Sequence, residues 1–204
     1  MVTHKLSTTN NVWISSDWHI NHTSIAGPKV SKWKSGYRNF NSVPEMNEHL
    51  ILQINKHVKC NDVIYFLGDF CFGGHRLTPE WRSRINCQNL HVCLGNHDEH
   101  LPEYIDCFSS VQDVLSIEDT NGHKIFMSHY KHAIWPGSHK GVIHLYGHSH
   151  ATSEGWEIGK SMDMGIDNAY RLHKEYRPFS LNEVLKIMNK RPIHFGHVNT
   201  KSND

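Results

Sequence analysis

Oxygen and imidazole donors recur along this chain in short, ordered clusters. These are Asp17-Trp18-His19, Gly68-Asp69, Gly95-Asn96-His97-Asp98, Ser128-His129 and Gly147-His148-Ser149-His150. Each holds hard or borderline metal ligands, and an apolar run leads into most of them. Together they supply enough donors for two adjacent divalent metals, a site type that hydrolyses phosphate esters. Two hydrolytic metals lie ~3.5–4 Å apart and need an anion between them. Asp69, on a tight turn, is the best candidate for that bridge. Asp17 and His19 alternate, which puts both side chains on one face of an extended segment, and His148 and His150 share the spacing. The amide oxygen of Asn96 offers a neutral ligand. His97 is next on the same turn and should point elsewhere, free to protonate a leaving alkoxide, with Asp98 expected to fix its tautomer and orientation.

The elements that must position these groups are legible in outline. Val12-Trp13-Ile14-Ser15 reads as a buried strand delivering Asp17 and His19, and Asp62 to Leu67 as a second one ending at Gly68-Asp69. Leu90 to Leu94 is a third, running into the Gly95 turn. Residues 21–41 are polar and rich in Gly, Lys and Asn, so they read as a long loop. Ser42-Val43-Pro44-Glu45 has a capping-box pattern, and Val43, Met46, Leu50, Ile51, Ile54 and Val58 follow at helical spacing. A second helix is expected from Thr78-Pro79-Glu80 to about Cys87. Val111 to Glu118 and Lys124 to Ser128 flank Asn121-Gly122, a hairpin signal. Val142 to Tyr146 and Met162 to Ile166 read as strands, and Ser180-Leu181-Asn182-Glu183 opens a helix through about Met188. Glycines at 68, 95 and 147 should permit sharp turns that aim the next side chain inward. In such α/β sheets, ligands gather beyond the carboxyl ends of strands.

Composition sets the bounds. The 204 residues suit one domain, 1–204, with 38% hydrophobic content and no repeat, low-complexity tract or linker. A net charge of +1 gives no global field that demands a nucleic-acid polymer or an anionic membrane. Five cysteines, an odd number without metal-binding spacing, suggest free thiols in a reducing cytoplasm. Met1 to Asn10 lacks the apolar core of a signal peptide, and no apolar run approaches the ~20 residues that span a bilayer. A cytoplasmic location is expected. Nineteen histidines are the outlier, so each counts only where its neighbours support it.

In this order the motifs resemble the calcineurin-like metallophosphoesterase superfamily, whose pattern is D-x-H, G-D, G-N-H-D/E, a later H and G-H-x-H. A closer likeness, to small phosphoesterases of bacteria and their phages, runs through Ser15 to His22, Leu67 to Gly73, Met162 to Asp167 and Tyr176 to Leu181. The resemblance implies an α/β fold, a four-layer α-β-β-α sandwich with two mixed β-sheets. It also implies two divalent metals, one held by Asp17, His19, Asp69 and His150, the other by Asp69, Asn96, His129 and His148. Manganese is the first choice, with iron, nickel or zinc as alternatives. His97 would be the proton donor, oriented by Asp98, and a metal-bridging hydroxide would attack phosphorus in line without a phosphoenzyme. The usual proline after His-Tyr is Lys131 here, and Asn168 to Glu175 looks longer and more basic than the short connection expected. Both departures bear on substrate preference rather than on metal binding.

Other residues carry weaker signals. His22, three positions after His19, faces either substrate or solvent, and Arg76 either phosphate or solvent. Lys29, Lys32, Lys34 and Arg38 interleave with Trp33 and Tyr37, a mixture that suits nucleotide contacts but more often forms a solvated loop. His132, His139 and His144 read as surface residues, and His4, His57, His91, His194 and His197 as ordinary structural ones. Gly155 to Ser161 mimics a P-loop but has three intervening residues where four are required. The reading is a dimetal phosphoesterase acting on a small phosphoester or nucleotide, with a slight preference for phosphodiesters or cyclic nucleotides. The alternatives are a phosphomonoesterase or protein phosphatase, a nuclease, and a non-catalytic metal-binding module.

Overall fold

The computed structural model describes residues 3–7, 10–32, 37–73, 76–153 and 155–194. Trp33, Lys34 and His197, singled out above, lie outside the described residues. Strands β2 (Val12–Ser15), β3 (Val63–Phe66), β4 (Asn89–Cys93) and β5 (Ser110–Gln112) pair in parallel, and β10 (Phe179–Ser180) joins β2 antiparallel at one edge. A second sheet has the order β1 (Thr3–Lys5), β6 (Val114–Glu118), β7 (Lys124–Ser128), β8 (Ile143–Tyr146), β9 (Ser161–Asp163), mixed in direction. Their facing surfaces share one core, in which Ile14, Tyr65, Leu67 and Cys93 are buried with Leu115, Ile117, Met127 and Leu145. The other face of the first sheet packs under α1 (Val43–His57) and α2 (Leu77–Ser83). There Met46, Leu50, Ile54 and Trp81 are buried with Ile64, Phe66, Leu90 and Val92. Each such aliphatic side chain contributes about 2 kcal/mol by leaving water. The helix layer and the two mixed sheets stack as expected, and the described cover over β7 and β8 includes the loop after β7, whose Trp135 ring lies 5.2 Å from that of His144.

The helix caps behave half as expected. Ser42 Oγ accepts from Glu45 N (3.2 Å), opening α1. The Glu45 carboxylate does not reach back to Ser42; it accepts from the backbone and side-chain amides of Asn41 at 3.0 and 2.8 Å. Ser180 likewise caps α4 (Leu181–Met188) through Glu183 N (3.3 Å), while Glu183 takes both terminal nitrogens of Arg177 at 3.0 Å.

Three readings of the second half and one helix end in the first are corrected. The continuous strand expected over Val111 to Glu118 is two strands, β5 and β6, that belong to different sheets, with Asp113 between them. The strand expected over Met162 to Ile166 stops at Asp163, because Ile166 opens α3 (Ile166–His173). Asn168 to Glu175 is therefore largely helix, not connection. α2 ends at Ser83 rather than near Cys87. Among the described residues, no helix is long and apolar enough to cross a membrane.

Candidate dimetal site

Main-chain bonds beyond the strands gather the motifs at one end of both sheets. Asp17 N donates to Gly68 O (2.9 Å) and His19 N to Asp69 O (3.0 Å), tying the first two motifs together. Ser16 N donates to Met164 O (3.0 Å) and Ile166 N to Ser16 O (3.1 Å), tying the first sheet to the second. His148 N donates to the Asp17 carboxylate at 2.9 and 3.1 Å.

The turns are left-handed rather than extended. Asp17 (φ 57°), His19 (48°), Asp69 (63°), His148 (66°) and His150 (45°) all have positive φ. Alternation along an extended segment was thus the wrong reason for Asp17 and His19 to converge; turn geometry brings them together. Non-glycine residues in this region cost roughly 1–3 kcal/mol each, and such strain clusters at functional sites. At Gly95 and Gly147 the requirement is space, since φ is not positive there. A Cβ on Gly95 would collide with Asp69, and one on Gly147 would lie 2.7 Å from Asp17 Oδ2. Gly68 does need its positive φ of 96°.

Two groups of potential ligands result. Asp17, His19 and His150 bring donor atoms within 4.8 Å of one another, and so do Asp69, His129 and His148. Asp69 Oδ2 lies 3.4 Å from His19 Nε2 and 3.5 Å from His129 Nε2, so one carboxylate oxygen sits between the groups. Asn96 Oδ1 is 3.0 Å from His129 Nε2 and 2.9 Å from His148 Nδ1, at the edge of the second group. His19 Nε2 is buried without a hydrogen-bond partner. A buried imidazole nitrogen left in this state is costly unless it meets an electrophile, so the donor set fits divalent metal.

A family profile of the calcineurin-like phosphoesterases matches residues 11–184. The chain belongs to that family. An uncharacterized protein of Methanocaldococcus jannaschii is 26% identical over 189 residues, covering 89% of this chain and 93% of its own. The gene 66 protein of Mycobacterium phage D29 is 28% identical over 170 residues, covering 70% and 79%. A crystal structure of a protein of unknown function from Aquifex aeolicus superposes with a TM-score of 0.63 at 20% identity, covering 88% of this chain and all of that one, which shows a shared fold.

Behind the front row, this calcineurin-like phosphoesterase has residues that the sequence reading assigned wrongly or passed over. Arg38, taken as part of a solvated basic loop, is 1% exposed. Its guanidinium donates to Asp167 Oδ1 (2.7 Å) and to the carbonyls of Trp18 (3.0 Å) and Asp17 (2.5 Å). Asp167 Oδ2 lies 2.6 Å from His150 Nδ1, so an Arg38–Asp167–His150 chain orients Nε2 of His150 toward Asp17. Asp163 accepts from Ser149 Oγ (2.6 Å), Ala151 N (2.9 Å) and Gly165 N (2.6 Å), bracing the last motif. The signal for this bracing lies in the sequence as the two carboxylates of the 162–167 segment, Asp163 and Asp167.

Asp98 is a further correction. Oδ2 accepts from Asp69 N (2.6 Å) and Gly95 N (2.9 Å), and Oδ1 from Phe70 N (2.9 Å). Among the described residues no hydrogen bond joins it to the His97 ring, so this buried carboxylate locks two turns together. His97 itself is exposed, and its ring neighbours are Phe72 (4.6 Å), His19 (5.5 Å) and His22 (5.7 Å). His22 is half-buried against Phe72 and Nδ1 of His19. Arg76 is exposed at the start of α2 and outside the lining of the cavity beside His97. His144, read as a surface residue, is fully buried, with Nε2 accepting from His132 N (2.9 Å).

Electrostatics follow burial. Burial pushes the Asp17 carboxyl up to about 6, against the pull of His150 and His129. It drives His19 well below the usual imidazole range, helped by His150 and Arg38, and takes His22 to about 4. Burial also lowers His150, but the Asp167 hydrogen bond and the Asp17 charge outweigh it, and the net shift is upward. Asp167 is buried as well, yet Arg38 and His150 hold it at about 2. A neutral His19 and an ionised Asp167 are states that metal coordination uses, whereas His150 must give up its proton to a metal.

Proposed function

We propose that this phosphoesterase hydrolyses a P–O bond of a small phosphoester, with Asp17, His19, Asp69 and His150 holding one divalent ion and Asp69, Asn96, His129 and His148 the other. The observation that carries this reading is Asp69 Oδ2, 3.4 and 3.5 Å from one imidazole of each group. Bound ions would activate water and clamp the phosphoryl oxygens, with manganese first and iron, nickel or zinc as alternatives. His97 is assigned the proton donor: it stands at the mouth of the cluster, outside both ligand groups. Asp98 supports it at one remove, by fixing the turn that presents it. Residues 1–204 are read as one domain working in the cytoplasm.

The cavity beside His97 is lined by no lysine or arginine among the described residues. The preference is for a diester or cyclic nucleotide over a monoester. The direct comparison is bis-p-nitrophenyl phosphate against p-nitrophenyl phosphate with the Mn2+-loaded protein. Faster hydrolysis of the diester is expected. Turnover of the monoester alone would reject the diester preference.

A further inference from the structure

Beside the ligand clusters opens a cavity of 180 Å³ lined by His19, His22, Ser24, Ile25, His97 and His150. Neither Asp17 nor Asp69 lines it, so it is a space adjoining the carboxylates rather than the one between them. It opens to solvent, and its 180 Å³ against these walls leaves room for one ring. We propose that this cavity receives the leaving alcohol of an acyclic phosphodiester, and that the part of the alcohol seated in it is a single uncharged ring.

The inference rests on the phosphoesterase reading and on His97 as proton donor. A donor must lie within hydrogen-bond reach of the oxygen it protonates, so the group carried by that oxygen occupies the space His97 faces. In the step, water adds to phosphorus, the P–O bond to the alcohol breaks and the leaving oxygen takes the His97 proton. The proton released by the water re-protonates His97. Outside the ligand set, the walls among the described residues are His22, Ser24, Ile25 and His97. They carry no carboxylate, ammonium or guanidinium, so a charged alcohol would lose its hydration there without gaining a partner.

These walls are fixed before substrate arrives. The His22 ring stacks on Phe72 at 3.5 Å and 12°, and Phe72 N donates to Ile20 O (2.8 Å). Asn21, next to His22, donates through its backbone to Asn47 Oδ1 on α1 (2.7 Å) and through its side chain to Phe72 O (3.1 Å). Ile25 is 4% exposed and part of the core under α1, so the floor does not yield. Ser24, by contrast, is exposed at the rim.

The test uses diesters that keep one substituent constant and vary the leaving group at matched acidity: phenyl, naphthyl, and phenyl bearing a quaternary ammonium. The Mn2+-loaded protein is expected to favour the neutral phenyl ester over the other two by about 10-fold or more in kcat/KM, the usual scale of pocket discrimination. Ser24→Phe should cost the phenyl ester about 10–100-fold and erase that preference. Equal rates for all three esters, or an unchanged preference in Ser24→Phe, would overturn the cavity assignment and leave the phosphoesterase reading standing. A second arm needs no turnover: phenol binding followed by NMR shifts of the His22 and His97 imidazoles, lost in Ser24→Phe. If no ester is hydrolysed with any metal, the phosphoesterase reading fails and the substrate assignment with it. Phenol shifts would then retain only a ring-sized binding cavity, and their absence would remove that too.

Discussion

His97 and its neighbours divide the chemistry at single-residue scale. His97→Ala should keep both metals, measured by elemental analysis, and lose roughly 10²–10⁴ in kcat. Loss of the metals instead would make His97 a ligand. Asp167→Asn keeps the shape but removes the charge that holds His150, which is within 2.6 Å. Metal affinity is expected to fall about 10–100-fold in a calorimetric Mn2+ titration. The donors were legible because metal chemistry restricts their types and the motifs fall directly after apolar runs. Arg38 and Asp98 were not legible in their roles. An arginine in a Lys- and Gly-rich stretch looks solvated until its carbonyl and Asp167 partners, 129 positions away in the case of Asp167, are known. Asp98, adjacent to His97, invited pairing with it, yet a short buried carboxylate is better satisfied by three backbone amides.

At the scale of elements, the site is a set of strand-end turns pressed together until side chains no longer fit between them. Gly147→Ala places a methyl 2.7 Å from Asp17 Oδ2. It should weaken the first metal site while leaving the far-ultraviolet circular dichroism unchanged. A variant that binds two metals as tightly as wild type would show that the turn can open at no cost. Strand cores and both caps were visible in the sequence, since burial on both faces gives apolar runs and Ser-x-x-Glu fixes a start. The break at Asp113 was not, because β5 and β6 each have strand-like composition and only pairing partners separate them. α3 was missed for a different reason: Gly165 stands at its N-cap and supplies no side-chain cap, so no start signal marks it.

The molecule as a whole should respond to pH and metal together. In the metal-free state Asp17, ordinarily near 3.8, is held at about 6, chiefly by burial. A raised carboxyl favours the folded state most below its unfolded value, and that contribution is lost as pH rises through the folded one. Metal-free wild type should therefore lose stability relative to Asp17→Asn between pH 4 and 6. The gap is on the order of 3 kcal/mol at 1.36 kcal/mol per unit, read from urea unfolding at each pH. Saturating Mn2+ should reverse the ranking at pH 7 by binding only the wild-type site tightly. A constant gap across the range would refute the burial effect.

The sheets have a consequence for how such a chain is made. Residues 3–5 pair with β6, and residues 179–180 pair with β2, so each sheet borrows an edge strand from the far end of the described chain. Strand β2 carries Asp17 into place, but its outer edge stays bare until residue 180 has emerged from the ribosome. His148, His150 and Asp167 also arrive late. At 5–20 residues per second, the early sheet would wait several seconds with an open edge, a template for pairing with another nascent chain. Cutting the chain at Asp113 would leave each piece short of one strand, so the pieces should recover metal binding only when synthesised together.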